Sequence, residues 1–164
     1  MIRWISRSAQ ETALAGQALA DALRPGDIVC LDGDLGAGKT ALTGGIARGL
    51  GIDAVVASPT FLLVAEYASG GRLPLYHFDA YRLSGAEDFN AAGLDEYFGY
   101  GGVCVVEWSD VVREVFTTHE AFGIRIEYRE EGEREIVFAF PESRIEEAAA
   151  FADRLRSIEA LHRG

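Results

Sequence analysis

Lysine occurs once in this 164-residue chain, at Lys39, and it stands inside Gly33-Asp34-Leu35-Gly36-Ala37-Gly38-Lys39-Thr40. That stretch has the form G-x-x-x-x-G-K-[ST], a pattern with a physical purpose. Its glycines let successive backbone N–H groups turn inward on a polyphosphate, the lysine reaches the β- and γ-phosphates, and the threonine hydroxyl is placed to ligate Mg²⁺. Every other basic side chain is arginine. A compact ammonium on a thin stem suits a crowded anion site better than a forked guanidinium. The loop therefore implies a nucleoside triphosphate bound with Mg²⁺.

Such a site needs an acidic side, and two carboxylates qualify. Val103-Cys104-Val105-Val106 is an apolar run without alternation, as in a strand buried on both faces, and it ends in Glu107-Trp108. A carboxylate at the carboxyl end of a buried neighbouring strand is where phosphoryl-transfer proteins place their metal-linked acid. Leu73-Pro74-Leu75-Tyr76-His77-Phe78 likewise reads as a strand and runs into Asp79-Ala80-Tyr81-Arg82. Taken alone, Asp79 reads as well as half of a surface ion pair. Ser58-Pro59-Thr60-Phe61 forms a stiff corner that presents two hydroxyls. A threonine on such a loop can sense Mg²⁺ and the γ-phosphate, and a plain turn into a strand fits these residues equally.

The elements that must hold these groups can be read along the chain. Residues 2–5 alternate as an opening strand, and Ser8-Ala9-Gln10-Glu11 is an S-x-x-E capping box starting a helix that Pro25-Gly26 closes. Asp27 to Leu31 is the strand feeding the loop, and Thr40 to Leu50 is the helix that follows it. Gly44, Gly45 and Gly49 lie within that helix and predict tight packing against the sheet. A strand from Phe61 to Tyr67 turns at Ser69-Gly70-Gly71, and Pro74 places the returning strand at a sheet edge or bulge. Ser84-Gly85-Ala86-Glu87 is a second capping box, with Gly93 as the helix stop and another helical turn from Leu94 to Tyr100. Phe122 to Tyr128 and Arg134 to Phe140 form an antiparallel hairpin, and a last helix begins near Ser143. The fold class is α/β, a P-loop-like mixed sheet with a parallel core and antiparallel hairpins, flanked by helices and organised as one domain over 1–164.

Composition limits the functions open to the chain. Fifteen basic against 26 acidic residues give a net charge of −11, which repels nucleic acid on average. Any direct contact with it would fall to a local patch around Arg125, Arg129 and Arg134. Cys30 and Cys104 sit in apolar strands without C-x-x-C spacing and read as small core hydrophobes. His119 and His162 read as surface residues. No apolar run is long enough to cross a bilayer and the start lacks a signal-peptide pattern, so the expected location is the cytoplasm, away from membranes.

Four segments stand in a defined order: the phosphate loop 33–40, Ser58-Pro59-Thr60-Phe61, Tyr76-His77-Phe78-Asp79-Ala80-Tyr81-Arg82-Leu83, and Val106-Glu107-Trp108. Together they resemble the bacterial TsaE (YjeE) family over roughly residues 8 to 110. The resemblance implies an ATPase of tRNA N6-threonylcarbamoyladenosine biosynthesis, weak alone and supporting the transferase TsaD with its partner TsaB. The tRNA would then be gripped by those partners, which suits the acidic charge. It implies ATP and Mg²⁺ as cofactors and Lys39, Asp79 and Glu107 as catalytic residues, with Thr40 and Glu107 carrying the metal. The nucleotide would be held by Asp34, Leu35, Gly36, Ala37, Gly38, Lys39 and Thr40, with Thr12 and Arg134 touching it from outside the loop. Ala41, Leu62 and Gly44-Gly45 depart from the family pattern, and Ala41 removes a hydroxyl expected at the α-phosphate.

Two other functions fit a phosphate loop. A P-loop small-molecule kinase would need an acceptor pocket and an arginine-rich lid, and no arginine cluster is evident. A GTP-dependent switch would need an N-K-x-D segment, which a chain with one lysine, already in the loop, cannot contain.

Overall fold

The apolar run 103–106 lies inside a seven-stranded sheet, and its alternate side chains enter two separate cores. Val103 and Val105 pack on one side, Cys104 and Val106 on the other. The computed structural model describes residues 1–59, 62–68 and 70–163; Thr60 and Phe61 of the proline corner, Ser69 of the expected turn and Gly164 lie outside the described residues.

In chain order the strands are β1 (Ile2–Ser6), β2 (Ile28–Gly33), β3 (Val64–Tyr67), β4 (Leu75–Asp79), β5 (Val103–Glu107), β6 (Phe122–Tyr128) and β7 (Arg134–Ala139). The helices are α1 (Ala9–Ala20), α2 (Lys39–Gly49), α3 (Ala86–Ala91) and α4 (Ile145–His162), with 3₁₀ turns at Leu94–Gly99 and Ser109–Thr117 among the connections. The sheet order is β1-β7-β6-β2-β5-β4-β3. β2 runs parallel to both β5 and β6, and β4 runs parallel to β5, while the β3–β4, β6–β7 and β1–β7 pairs are antiparallel. The expected mixed sheet is therefore present. Helices α1, α2 and α4 cover one face, and α3 with the two 3₁₀ turns covers the β4–β5 end of the other. Among the described residues no helix is long and apolar enough to cross a membrane.

Ser8 caps the first helix as the sequence predicts, while the Glu11 carboxylate reaches one residue further back than the box pattern requires. Ser8 Oγ accepts the Glu11 N–H at 3.0 Å, and the Glu11 carboxylate accepts the Arg7 N–H at 2.8 Å. Losing one such cap costs about 1 kcal/mol. Ser8→Ala is expected to lower the melting temperature by about 2–4 °C, with Ser8→Asp close to the parent, as thermal unfolding followed by circular dichroism would report.

Three local expectations are corrected. Ser84 does not cap α3 with its hydroxyl; its N–H and Oγ–H both donate to the Asp88 carboxylate, one residue beyond the predicted partner. The helix nevertheless stops before Gly93, which takes the left-handed φ of 74°. Pro74 does not mark an edge, because β4 lies between β5 and β3. It sits just before the first strand residue, where a missing N–H breaks no ladder bond, and its carbonyl accepts the Val103 N–H at 2.8 Å.

The α2 glycines meet a helix rather than the sheet. A Cβ on Gly45 would lie 2.0 Å from the Ala13 carbonyl oxygen, and one on Gly49 would lie 2.7 Å from that of Gln17. Gly16 of α1 answers from the other side, its Cβ position being 2.2 Å from the Leu42 oxygen. Bare backbones therefore touch along an α1–α2 seam that side chains would force apart. Gly44 faces open space, with nothing within 4 Å.

Candidate active site

Strand β2 delivers the loop 33–38 to the first turn of α2, the strand–loop–helix order that an anion cradle requires. Gly36 and Gly38 take φ values of 78° and 114°, which L side chains rarely adopt. Leu35 is the exposed tip of this loop, and Ala37 is tucked into the core. Lys39 is buried although it is charged; its Nζ donates to the Gly33 carbonyl and sits 4.2 Å from the centroid of the Trp108 ring. The ammonium is thus presented along the loop axis by a backbone oxygen and an aromatic face. Thr40 Oγ1 lies 3.1 Å from Ser58 Oγ, so the proline corner reaches the loop through the serine.

The acidic side assembles at the carboxyl ends of β4 and β5. Asp79 is opposite Glu107 in parallel register, so the two carboxylates lie side by side on one sheet face. Asp79 is oriented by its own turn, Oδ1 accepting the Tyr81 N–H at 2.9 Å. Glu107 is only 3% exposed, and its Oε2 accepts from Nε2–H of His77, which is wholly buried. His77 escaped the sequence reading except as a motif letter. Its signal was available: a histidine inside an apolar strand, two residues before Asp79 and hence on the same face.

Trp108, directly after Glu107, has a left-handed φ of 56°. For a bulky residue this costs on the order of 1–3 kcal/mol, and it turns the ring onto Lys39 and within 5.0 Å of the Tyr81 ring. The turn that follows is pinned to the strand before the loop. Ser109 Oγ–H donates to Asp32 at 2.5 Å, and the Asp110 N–H donates to the same carboxylate at 3.3 Å. Burial pushes the Asp32 carboxyl above the usual range, and the Ser109 hydrogen bond works against that rise.

Thr12 and Arg134, far apart in sequence, flank the loop at Gly38. A Cβ there would meet Arg134 Cδ at 3.3 Å and Thr12 Cγ2 at 3.7 Å. Arg134 Nε–H donates to the Ala37 carbonyl at 2.9 Å, leaving part of its guanidinium to the loop's outer side. The Thr12 hydroxyl is buried and shared with Ser6 Oγ at 2.7 Å, so it braces the start of α1. The remaining arginines of the basic patch are neutralised: Arg125 pairs with Asp110 and Arg129 with Glu135. Cys104 is buried and Cys30 partly so, and burial pushes each thiol up to about 12.

The donor set fits Mg²⁺. Thr40, Ser58, Asp79 and Glu107 offer only oxygen, the hard ligand type this ion takes. Among the described residues no group of three or more His, Cys, Asp or Glu is arranged to hold a metal. Mg²⁺ carried on phosphates needs only one or two protein carboxylates, with phosphate and water completing its octahedron. A cleft of about 200 Å³ beside the loop is lined by Leu35, Asp79, Tyr81, Arg82 and Trp108. A roomier cavity of about 470 Å³ lies on the open face of β6 and β7, away from this chemistry.

The chain is similar to known proteins in both sequence and fold. The profile described as "Threonylcarbamoyl adenosine biosynthesis protein TsaE" matches residues 6–136. The tRNA threonylcarbamoyladenosine biosynthesis protein TsaE of Bacillus subtilis (strain 168) is 43% identical over 145 residues, covering 88% of this chain and 89% of that protein. The TsaE protein of Treponema pallidum (strain Nichols) is 44% identical over 138 residues, which are 84% of this chain and 100% of its own. The crystal structure of Bacillus subtilis YdiB superposes with a TM-score of 0.78 at 37% identity, covering 93% of this chain and 94% of that one. On both the profile and the full-length relatives, the chain belongs to the TsaE family.

Proposed function

We propose that this protein is a Mg²⁺-dependent ATPase acting in tRNA threonylcarbamoyladenosine biosynthesis, where it supports the turnover of TsaD with TsaB. The observation that carries the reading is one juxtaposition: Lys39, in the first turn of α2, lies against Trp108, the residue after Glu107, and Glu107 and Asp79 stand at adjacent strand ends. The phosphates lie on the amides of residues 34–40, where the loop and the helix dipole both favour negative charge. Lys39 neutralises charge on the β- and γ-oxygens, and Trp108 keeps its ammonium from turning into solvent. Thr40 and Glu107 would hold Mg²⁺, which would supply charge stabilisation to the transferring phosphoryl group. Asp79 orients the attacking water beside it, and Arg134 steadies the nucleotide at Gly38. The names of the family and of its relatives support the pathway. A net charge of −11 supports a division of labour in which a partner grips the tRNA.

The test is reconstitution. The purified chain is expected to hydrolyse ATP slowly alone and much faster with TsaD and TsaB, and to raise multiple-turnover tRNA modification. No hydrolysis and no effect on modification would overturn the proposal. Trp108 offers a direct probe, since Trp4 is the only other indole and is buried at 5% exposure. Adding Mg-ATP is expected to change tryptophan fluorescence, and Trp108→Phe to abolish the change; a signal indifferent to nucleotide would remove Glu107 from the metal. A small-molecule kinase would instead show stoichiometric phosphate transfer to a metabolite in a substrate screen.

A further inference from the structure

We propose that His77 is the positioning residue for Glu107, fixing the carboxylate that receives Mg²⁺. This role rests on the ATPase reading and adds to it a residue that never touches nucleotide. His77 is wholly buried in β4, and the register His77↔Val105 and Asp79↔Glu107 puts all four side chains on one sheet face. Its Nε2–H donates to Glu107 Oε2, and among the described residues Nδ1 has no partner.

Packing alone does not explain an imidazole there. Burying a polar group with half its hydrogen bonds unmade is costly, and leucine would fill a comparable space without that cost. Glu107 is the group that benefits. A carboxylate oxygen accepts, so it is Nε2 that carries the hydrogen of this bond. With Oε2 held, Oε1 is the oxygen left for a cation, and the carboxylate cannot rotate away as the ion departs. Asp79 gets the same service from the Tyr81 N–H, whereas Glu107, at the end of a strand buried on both faces, must obtain it from a side chain. Metal-binding carboxylates and histidines depend in this way on the groups behind them.

The experiment measures binding of a fluorescent ADP to the full chain, in EDTA and across a Mg²⁺ titration, for the parent, His77→Leu, His77→Gln and His77→Asn. Glutamine places an amide N–H where Nε2–H stands, and asparagine is too short to reach. His77→Leu and His77→Asn are expected to leave affinity in EDTA within about twofold and to raise the half-saturating Mg²⁺ by about 10–100-fold. His77→Gln is expected to stay within about threefold of the parent by the same measure. If the leucine variant does not fold, the glutamine–asparagine pair decides. Equal Mg²⁺ midpoints for that pair, or loss of binding in EDTA and Mg²⁺ alike, would overturn the assignment. Failure of the parent itself to show Mg²⁺-dependent binding would instead overturn the ATPase reading.

Discussion

Lys39→Ala is expected to lower partner-stimulated ATP hydrolysis by about 100-fold or more while the fold persists, the scale seen when one preorganised donor to developing charge is removed. Burial makes the case stronger than the motif does. At 6% exposure the ammonium is held between the Gly33 carbonyl and the Trp108 ring, 4.2 Å from its centroid, so its position is set before nucleotide arrives. Lys39→Arg is expected to rescue little, because a planar fork cannot occupy a slot built for a point charge between a carbonyl and an indole face. Steady-state phosphate release with TsaD and TsaB, beside circular dichroism, checks both variants. A Lys39→Ala protein that keeps a third of the parent rate would take Lys39 out of the catalytic set.

The α1–α2 seam carries the largest expected effect on stability, and two adjacent glycines should respond with opposite sign. Replacing glycine by alanine in a helix interior gains up to about 1 kcal/mol from backbone entropy. At Gly44 nothing opposes that gain, so Gly44→Ala is expected to raise the melting temperature by about 2–3 °C. At Gly45 the new Cβ would sit 2.0 Å from the Ala13 oxygen and within 2.9 Å of two further backbone atoms of that residue. Backbone cannot rotate aside as a side chain can, so α1 must shift, and overpacking of this kind costs typically about 1–3 kcal/mol or more. Gly45→Ala is expected to lose about 5 °C or more. Because α1 also carries Thr12 to the loop at Gly38, nucleotide affinity should fall with it. Equal melting temperatures for the two variants would contradict the seam.

Much of the site was legible because the chemistry is local in sequence. The loop, its flanking strand and helix, and the run ending in Glu107 each declare themselves within a dozen residues, and the observed elements agree with them to within a few positions. What misled was the identity of neighbours. Pro74 suggested an edge because proline forfeits a ladder bond, yet one position before a strand it forfeits none. The α2 glycines suggested contact with a sheet, since periodicity says that a face is crowded without saying by what. The patch of Arg125 and Arg129 looked basic until the fold supplied Asp110 and Glu135 as partners.

Residue types and spacing alone determined that the chain carries a phosphate-loop pattern, that two of its strands end in carboxylates, and which family it resembles. Those properties are set by backbone chemistry over short stretches, where glycine, lysine and an apolar run have few alternative meanings. Tertiary structure decided that Arg134 and Thr12 meet at Gly38, that Trp108 bends back onto Lys39, and that His77 stands behind Glu107. Each of these depends on tertiary packing, which brings residues from 26 to 96 positions apart into contact. Side-chain pairing across a parallel sheet follows from which strands become neighbours, and no local preference encodes that choice.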